Sequence, residues 1–238
     1  SAAFLNSGQT WKEQKQIMEN VLQGHYKFLY VAPERLLSDS FREYLPNLKV
    51  SCLIIDEAHC ISMWGSDFRP SFRKIKEARE LLPPNVPVAA FTATAPQWIQ
   101  EDIIEGLQLK NPQIHQGAFG RENLIFQSIT ASNKSALLLQ ALKQTKGCSI
   151  VFAPTRKAVQ ETAVWLQNEG ITAHFYHGGL VNEDRSSKQQ DWIENKVRVM
   201  VCTNAFGMGV DKPDVRYVFH TAPSTTPEDY YQESGRAG

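Results

Sequence analysis

"LIIDEAHCISMWGSDFRPSF", residues Leu53 to Phe72, decides how this chain is read. An apolar run, Leu53-Ile54-Ile55, ends in two adjacent acids, Asp56 and Glu57, and Trp64, Phe68 and Arg69 follow a few positions on. A strand that ends in Asp-Glu fixes the backbone while both carboxylates emerge at its carboxyl end. In a phosphoryl-transfer site the first acid can hold Mg²⁺ through water, and the second can orient the attacking water. The plainer reading is a surface Asp-Glu pair in a turn. Trp64, Phe68 and Arg69 share their segment with Gly65 and Pro70 and lack helical periodicity, which predicts a loop. A loop that exposes Trp and Phe leaves apolar surface in water unless something stacks on it. Single-stranded nucleic acid offers flat bases for such stacking, worth about 1–3 kcal/mol per base. The competing reading plugs Trp64 and Phe68 into the core and pairs Arg69 with an acid.

Outward from that stretch, strand-like and helix-like segments alternate. Thr10-x-x-Glu13 forms a capping box ahead of a helix with Trp11, Met18 and Val21 on one apolar stripe, and Gly24 supplies its stop. "YKFLYVAP" (26–33) and "SCLIID" (51–56) read as buried strands, and "PVAAFTATA" (87–95) as another. "TATAPQWIQEDIIEGLQL" (92–109) predicts a helix with Pro96 near its first turn and Ile99, Ile103 and Leu107 on one face. Residues 110–135 are broken by Pro, Gly and Asn, hold one short extended run, and place a domain boundary near Ala118, giving lobes over 1–118 and 119–238. A second alternating set follows: strand 148–154, helix 155–170, strand 171–178, helix 181–196, strands 197–203 and 215–222, and a last helix opened by Thr226 and Pro227. The pattern is α/β, with parallel sheets covered by helices and ligands expected at the carboxyl ends of the strands.

Composition bounds the function. Lys and Arg together number 25, as do Asp and Glu, so net charge argues neither for nor against nucleic acid and any basic groove must be local. Cys52, Cys60, Cys148 and Cys202 lie far apart without metal-binding spacing and read as reduced core residues. His174 and His177, three apart on a strand, point to opposite faces, which argues against a metal site. No apolar run reaches the roughly 18 residues of a membrane span, and no charged-then-apolar leader is visible. The chain begins without methionine and stops at "QESGRAG" within an apparent helix, so a fragment is expected.

Other motifs also fall at strand ends. Thr92-Ala93-Thr94 offers small hydroxyls that bridge elements without blocking a cleft. In "TNAFGMGVDKPDV" (203–215), Gly207 and Gly209 let the backbone approach a ligand, with Asp211 next to them. Arg236, in "SGRAG", could set a guanidinium against phosphate, or serve as an ordinary helix-end arginine.

"DEAHCISMWGSDFRP", "FTATA", "YHGGL", "AFGMGVDKPDVRYVFH" and "YYQESGRAG", in this order and at these separations, resemble the motifs of the RecQ family of DNA helicases over nearly the whole chain. The coupling of an Asp-Glu-Ala-His box to an aromatic-rich loop is specific to that family among helicases. The resemblance implies two RecA-like lobes with parallel sheets flanked by helices, the first truncated at its N-terminus. It implies ATP and Mg²⁺ as cofactors, single-stranded and duplex DNA as partners, 3′ to 5′ translocation, and unwinding in repair and recombination. It places the protein in the bacterial cytoplasm with the nucleoid, or in a eukaryotic nucleus.

By the same resemblance Asp56 holds Mg²⁺, Glu57 activates water, and His59 couples the nucleotide to the cleft. Trp64, Phe68 and Arg69 form the DNA-sensing loop. Asn6, Ser7, Glu34, Arg35, Thr155, Arg156, His177 and Thr203 line the DNA path. Gln232 and Arg236 face ATP, with Gly209 and Asp211 nearby.

Departures from the family pattern are Ser66 in place of a larger residue, "FGREN" (119–123) and "FAPTR" (152–156). No G-x-x-x-x-G-K-[ST] loop is present, and the chain stops one residue before the family's second arginine, a type of group worth about 10³–10⁵ in rate in related chemistry. The chain by itself is therefore expected to be a poor ATPase. Two other readings stay open: a nucleic-acid-binding scaffold without a P-loop, against which Glu57 and Arg236 speak, and an RNA helicase of the broader type, which the aromatic loop disfavours.

Overall fold

The structure, a computed structural model, describes residues 1–6, 8–36, 38–62, 70–93, 95–117, 120–206, 210 and 212–237, with backbone alone at 70 and 73. It divides into two compact units, Ser1–His115 and Gln116–Gly238.

In the first unit, β1 (Ala2–Leu5) and β2 (Phe28–Val31) pair in parallel, with Phe4 opposite Tyr30. The connecting helix α1 (Trp11–Leu22) starts where the sequence indicates. Thr10 Oγ1 accepts the Glu13 N–H, and the Glu13 carboxylate accepts the Thr10 N–H at 2.7 Å. The Thr10 hydroxyl, which also donates to the Glu13 carboxylate at 2.7 Å, and then the Thr10 N–H hold that carboxyl below its usual range. The expected apolar stripe is shorter than the sequence suggests: Met18 is buried, but Trp11 is 69% exposed, with the Lys15 ammonium 5.4 Å from its ring centre. Trp11 stands in the first turn, where the Lys15 ammonium one turn on gives the ring a polar partner in place of the core.

The short helix α2 (Asp39–Arg42) precedes β3 (Leu53–Ile55), which pairs in parallel with β4 (Val88–Ala90). Helices α3 (Pro70–Glu80) and α4 (Gln97–Gly106) pack on them. Helix α3, which the sequence reading does not include, serves two cores. Phe72 and Ile75 join Ile55, Ile99, Ile103 and Leu107, whereas Ala78 joins Leu5, Met18, Phe41 and Leu45. The expected face of α4 is thus confirmed. The expectation of fully buried strands is not. Phe4, Phe28, Tyr30, Ile54 and Phe91 are each more than half exposed, because among the described residues the helices cover one side of these strands.

The second unit is a four-stranded parallel sheet in the order β6-β7-β5-β8. Before it comes α5 (Lys134–Gln144), also absent from the sequence reading; Asn133 caps it by accepting the Ala136 N–H, and Leu138 and Leu142 are its buried face. Then follow β5 (Cys148–Phe152), α6 (Arg156–Asn168), β6 (Ala173–Tyr176), α7 (Asn182–Ile193), β7 (Val199–Cys202), β8 (Val215–His220) and α8 (Pro227–Ser234). Every residue of β5 and β7 is buried. Leu138, Leu142, Val159 and Leu166 cover one face through Val151, Val199 and Val201. Trp192 and Phe206 cover the other through Ile150, Phe152 and Met200. Helix α8 opens on a second capping box, Thr226 with Asp229, and ends at Ser234 with Gly235 as its cap. The chain therefore does not stop in mid-helix, as the sequence suggested.

Cys60, Cys148 and Cys202 are core residues, whereas Cys52, just ahead of β3, is exposed, contrary to expectation. Burial pushes the Cys148 thiol up to about 12, and Cys202 rises for the same reason. His174 lies 3.3 Å from Asp191 and His177 reaches Gln160, so the two histidines share no site. Among the described residues no cluster of His, Cys, Asp or Glu could hold a metal by itself, and no helix is long and apolar enough to cross a membrane.

Candidate functional site

The carboxyl end of β3 carries the strained backbone expected of a working site. Glu57 sits in the left-handed region at φ 51 and ψ 42, a conformation that costs a non-glycine residue about 1–2 kcal/mol. Hydrogen bonds hold it there from both sides: the Phe91 N–H donates to Ile55 O at 2.8 Å, and the Ala58 N–H donates to Phe91 O at 2.9 Å. This single step turns the chain from the strand into a buried 3₁₀ turn, Ala58–Ile61. Asp56 stays exposed, one carboxylate oxygen accepting the Glu57 N–H at 2.9 Å. His59, 8% exposed, places Nδ1 2.9 Å from Thr92 Oγ1 and 3.4 Å from a Glu57 carboxylate oxygen. Thr92 thus makes the bridge its small hydroxyl suggested.

Asp56 and Glu57 present hard oxygens in the number a Mg²⁺ ion takes from protein, which is one or two carboxylates with water and phosphate filling the other positions. The donor set therefore fits Mg²⁺, which the exposed Asp56 would hold.

Elsewhere in the first unit, the structure joins two candidates through a residue the sequence reading passed over. Arg35, in the 3₁₀ turn Pro33–Arg35, donates to Gln14 Oε1. Gln14 Nε2 in turn donates to Asn6 O at 3.2 Å and Gln9 O at 2.9 Å. One side-chain amide on α1 therefore ties Arg35 to the loop after β1. The signal was a polar residue inside an amphipathic helix, which pattern reading discards as surface.

In the second unit, candidates gather at the carboxyl ends of the strands. Thr155 caps α6 by accepting the Ala158 N–H at 3.1 Å, so its hydroxyl is partly committed to structure. Arg156 is exposed, and its guanidinium lies over Gly179: a Cβ there would stand 2.9 Å from Nη1. His177 is 4% exposed and accepts the Gly179 N–H on Nδ1 at 3.2 Å. Its Nε2 lies 2.9 Å from the side-chain amide nitrogen of Gln160. Thr203 follows β7 and lines a cavity of about 120 Å³ with Asn204, His220, Ser224 and Glu233. Glu233 accepts from Ser224 at 2.6 Å and lies 2.9 Å from His220 Nε2. Gln232 stands beside it on α8 and Arg236 just past the helix end, both half-buried. Ser7, Trp64, Phe68, Arg69, Gly209 and Asp211 lie outside the described residues.

Residues 2–102 match the family model of the DEAD/DEAH box helicases, and residues 133–238 match the helicase conserved C-terminal domain. The fold and the site thus define a protein built from the two modules of a helicase core. Over its whole length the chain is 39% identical to the ATP-dependent DNA helicase RecQ of Pasteurella multocida, covering 38% of that protein. It is 42% identical to the probable ATP-dependent DNA helicase RecS of Bacillus subtilis, covering 48% of it. The chain belongs to the RecQ family of helicases, and it spans less than half the length of these two relatives. In fold it is similar to S. cerevisiae Dbp5 bound to RNA and ADP BeF3, with a TM-score of 0.72 at 18% identity, covering 100% of this chain and 68% of that one.

Proposed function

We propose that this chain is the central part of an ATP-dependent DNA helicase that moves 3′ to 5′ and unwinds duplex DNA in repair and recombination. The observation that carries the reading is the left-handed Glu57, held against the buried His59–Thr92 link directly upstream of the segment with Trp64, Phe68 and Arg69.

Asp56 would hold Mg²⁺, which when bound neutralises phosphate charge. Glu57 orients the attacking water and accepts its proton, its carboxylate kept at the site by the left-handed backbone. His59 stays in place through Thr92 and aligns Glu57. In the second unit, Arg236, Gln232, Gly209 and Asp211 would supply nucleotide contacts, the guanidinium of Arg236 to phosphate. On the DNA side, Asn6, Ser7, Arg35, Thr155, Arg156, His177 and Thr203 follow the phosphate backbone, and Trp64, Phe68 and Arg69 stack on and read the bases. Single-stranded DNA at that segment then reaches the hydrolytic acids through the short turn that follows Glu57.

ATP hydrolysis by the full-length polypeptide, with and without single-stranded DNA, tests the proposal, with Trp64→Ala alongside. The expected result is stimulation by DNA that the variant loses while keeping its fold. DNA binding without hydrolysis under any condition would favour the scaffold reading.

A further inference from the structure

Helix α8 is eight residues long, shorter than the roughly 12–15 at which an isolated helix is even marginal in water. Tertiary contacts must therefore hold it, yet Ser234 alone of its residues is buried. The Ser234 hydroxyl is turned back on its own helix, donating to Tyr230 O at 2.6 Å and Tyr231 O at 3.2 Å. What α8 brings to the sheet is a carboxylate. One oxygen of Glu233, Oε2, accepts the Ser224 hydroxyl at 2.6 Å and lies 2.9 Å from His220 Nε2. The side chains of His220 and Glu233 are 15% and 12% exposed, so the pair is largely shielded from water.

The root of this clasp is firmly held. His220 is the last residue of β8, and the Thr221 N–H and hydroxyl both donate to Phe152 O, at 3.0 and 3.1 Å. Phe152 ends β5, the strand buried along its whole length, and its ring stacks on His220 with centres 5.3 Å apart. Tyr230 of α8 approaches the same imidazole, with 5.0 Å between ring centres. Ser224 lies in the 221–226 connection, so one carboxylate oxygen ties together strand end, loop and helix. Moving α8 away would leave a largely buried carboxylate without donors, which is costly. The Arg236 N–H donates to Glu233 O at 3.4 Å, so the backbone carries the position of Glu233 on to Arg236.

We infer that Glu233, clasped by His220 and Ser224, is a positioning residue that seats α8 on the end of the sheet and so sets where Gln232 and Arg236 stand. Polar bonds at one carboxylate do for this helix what buried apolar faces do for α5 and α6. The carboxylate acts through the helix and not on the nucleotide. The consequence for hydrolysis rests on the proposed function; the clasp stands apart from it.

Two measurements on the full-length polypeptide test it. First, hydrogen exchange without nucleotide or DNA should show the amides of Tyr230 to Ser234 exchanging at least about tenfold faster in Glu233→Ala, as bonds to a charged group are lost, while α6 is unchanged. Unchanged exchange in α8 would overturn the clasp. Second, Glu233→Ala should lower kcat for ATP hydrolysis about tenfold and keep KM for ATP and the ATP-binding stoichiometry within about twofold, since a misplaced guanidinium is missed most in the transition state. Loss of folded protein would instead lower the stoichiometry. Glu233→Gln, which keeps an acceptor oxygen for both donors, should recover most of both losses. No recovery in Glu233→Gln, or an unchanged kcat in Glu233→Ala, would overturn the positioning role. A wild-type polypeptide that hydrolyses no ATP would sink the helicase reading, and the exchange result would still decide the clasp. If Glu233→Ala does not fold, Ser224→Ala removes one of the two donors and is read in the same way, with smaller changes.

Discussion

The two units treat apolar strands differently. In the second, β5 and β7 are buried along their whole length between helices on both faces. In the first, β1 buries Ala3 and Leu5, β3 buries Ile55, β2 has its alternate residues only half-buried, and Phe4, Phe28, Tyr30 and Ile54 face outward. All these strands read as continuous apolar runs, the signature of a parallel sheet covered on both sides. The runs report the pairing that the chain is built for. Coverage is a property of which helices lie across the sheet, and that is settled only in three dimensions. The difference also places strain. Among the described residues, Asn195 is the second unit's non-glycine at positive φ, a residue type that tolerates that conformation, whereas the first unit has Asn111 and also Glu57 and Gln108, which tolerate it less well. Of these, Glu57 lies where chemistry is proposed.

The largest effect expected from this contrast is at Glu57. Glu57→Gln should lower ATP hydrolysis by the full-length polypeptide at least about a hundredfold with ATP binding retained, the usual range for a positioned general base. Normal turnover would assign water activation to another residue and remove the meaning of the strain.

Next comes packing. Leu142→Ala, at 0% exposure, should destabilise the second unit by about 2–5 kcal/mol, whereas Ile54→Ala, at 54% exposure, should cost the first unit under about 1 kcal/mol. Denaturant unfolding of each variant reads the two values, and equal losses would show that the outward face of β3 is covered in solution.

The smallest effect concerns the two capping boxes. Because Thr10 lowers the Glu13 pKa, Glu13 contributes stability that is present above its unfolded pKa and is lost as pH falls through the lower folded value. Acid titration followed by hydrogen exchange should therefore show α1 fraying in that window. Glu13→Gln should abolish the pH dependence of α1 and leave α8, capped by Thr226 and Asp229, as it was.

Much of the site was legible. Asp56, Glu57 and His59 follow an apolar strand, and Thr92 ends another; adjacency in the chain gives adjacency in space when two strands are parallel neighbours. Gln14 and Asp102 were not legible as partners of Arg35 and Ser62, because each is a polar residue on a helix and its partner is distant in sequence. Helices α3 and α5 were missed for related reasons. The apolar positions of α3 serve two separate cores, and α5 follows a Pro- and Gly-broken stretch that masks its Asn133 cap.

From sequence alone came the α/β alternation, the helix starts at Thr10, Pro96, Thr155 and Thr226, the motif order and the family resemblance. Those rest on interactions within a few residues: caps, turn residues and apolar periodicity act locally and leave a local trace. The tertiary structure alone decided which strand faces are covered, that Trp11 and Cys52 stand in solvent, and that Ser62 is locked to Asp102. These depend on contacts between segments far apart in the chain, where the free energy of a residue belongs to the pair and not to its own position.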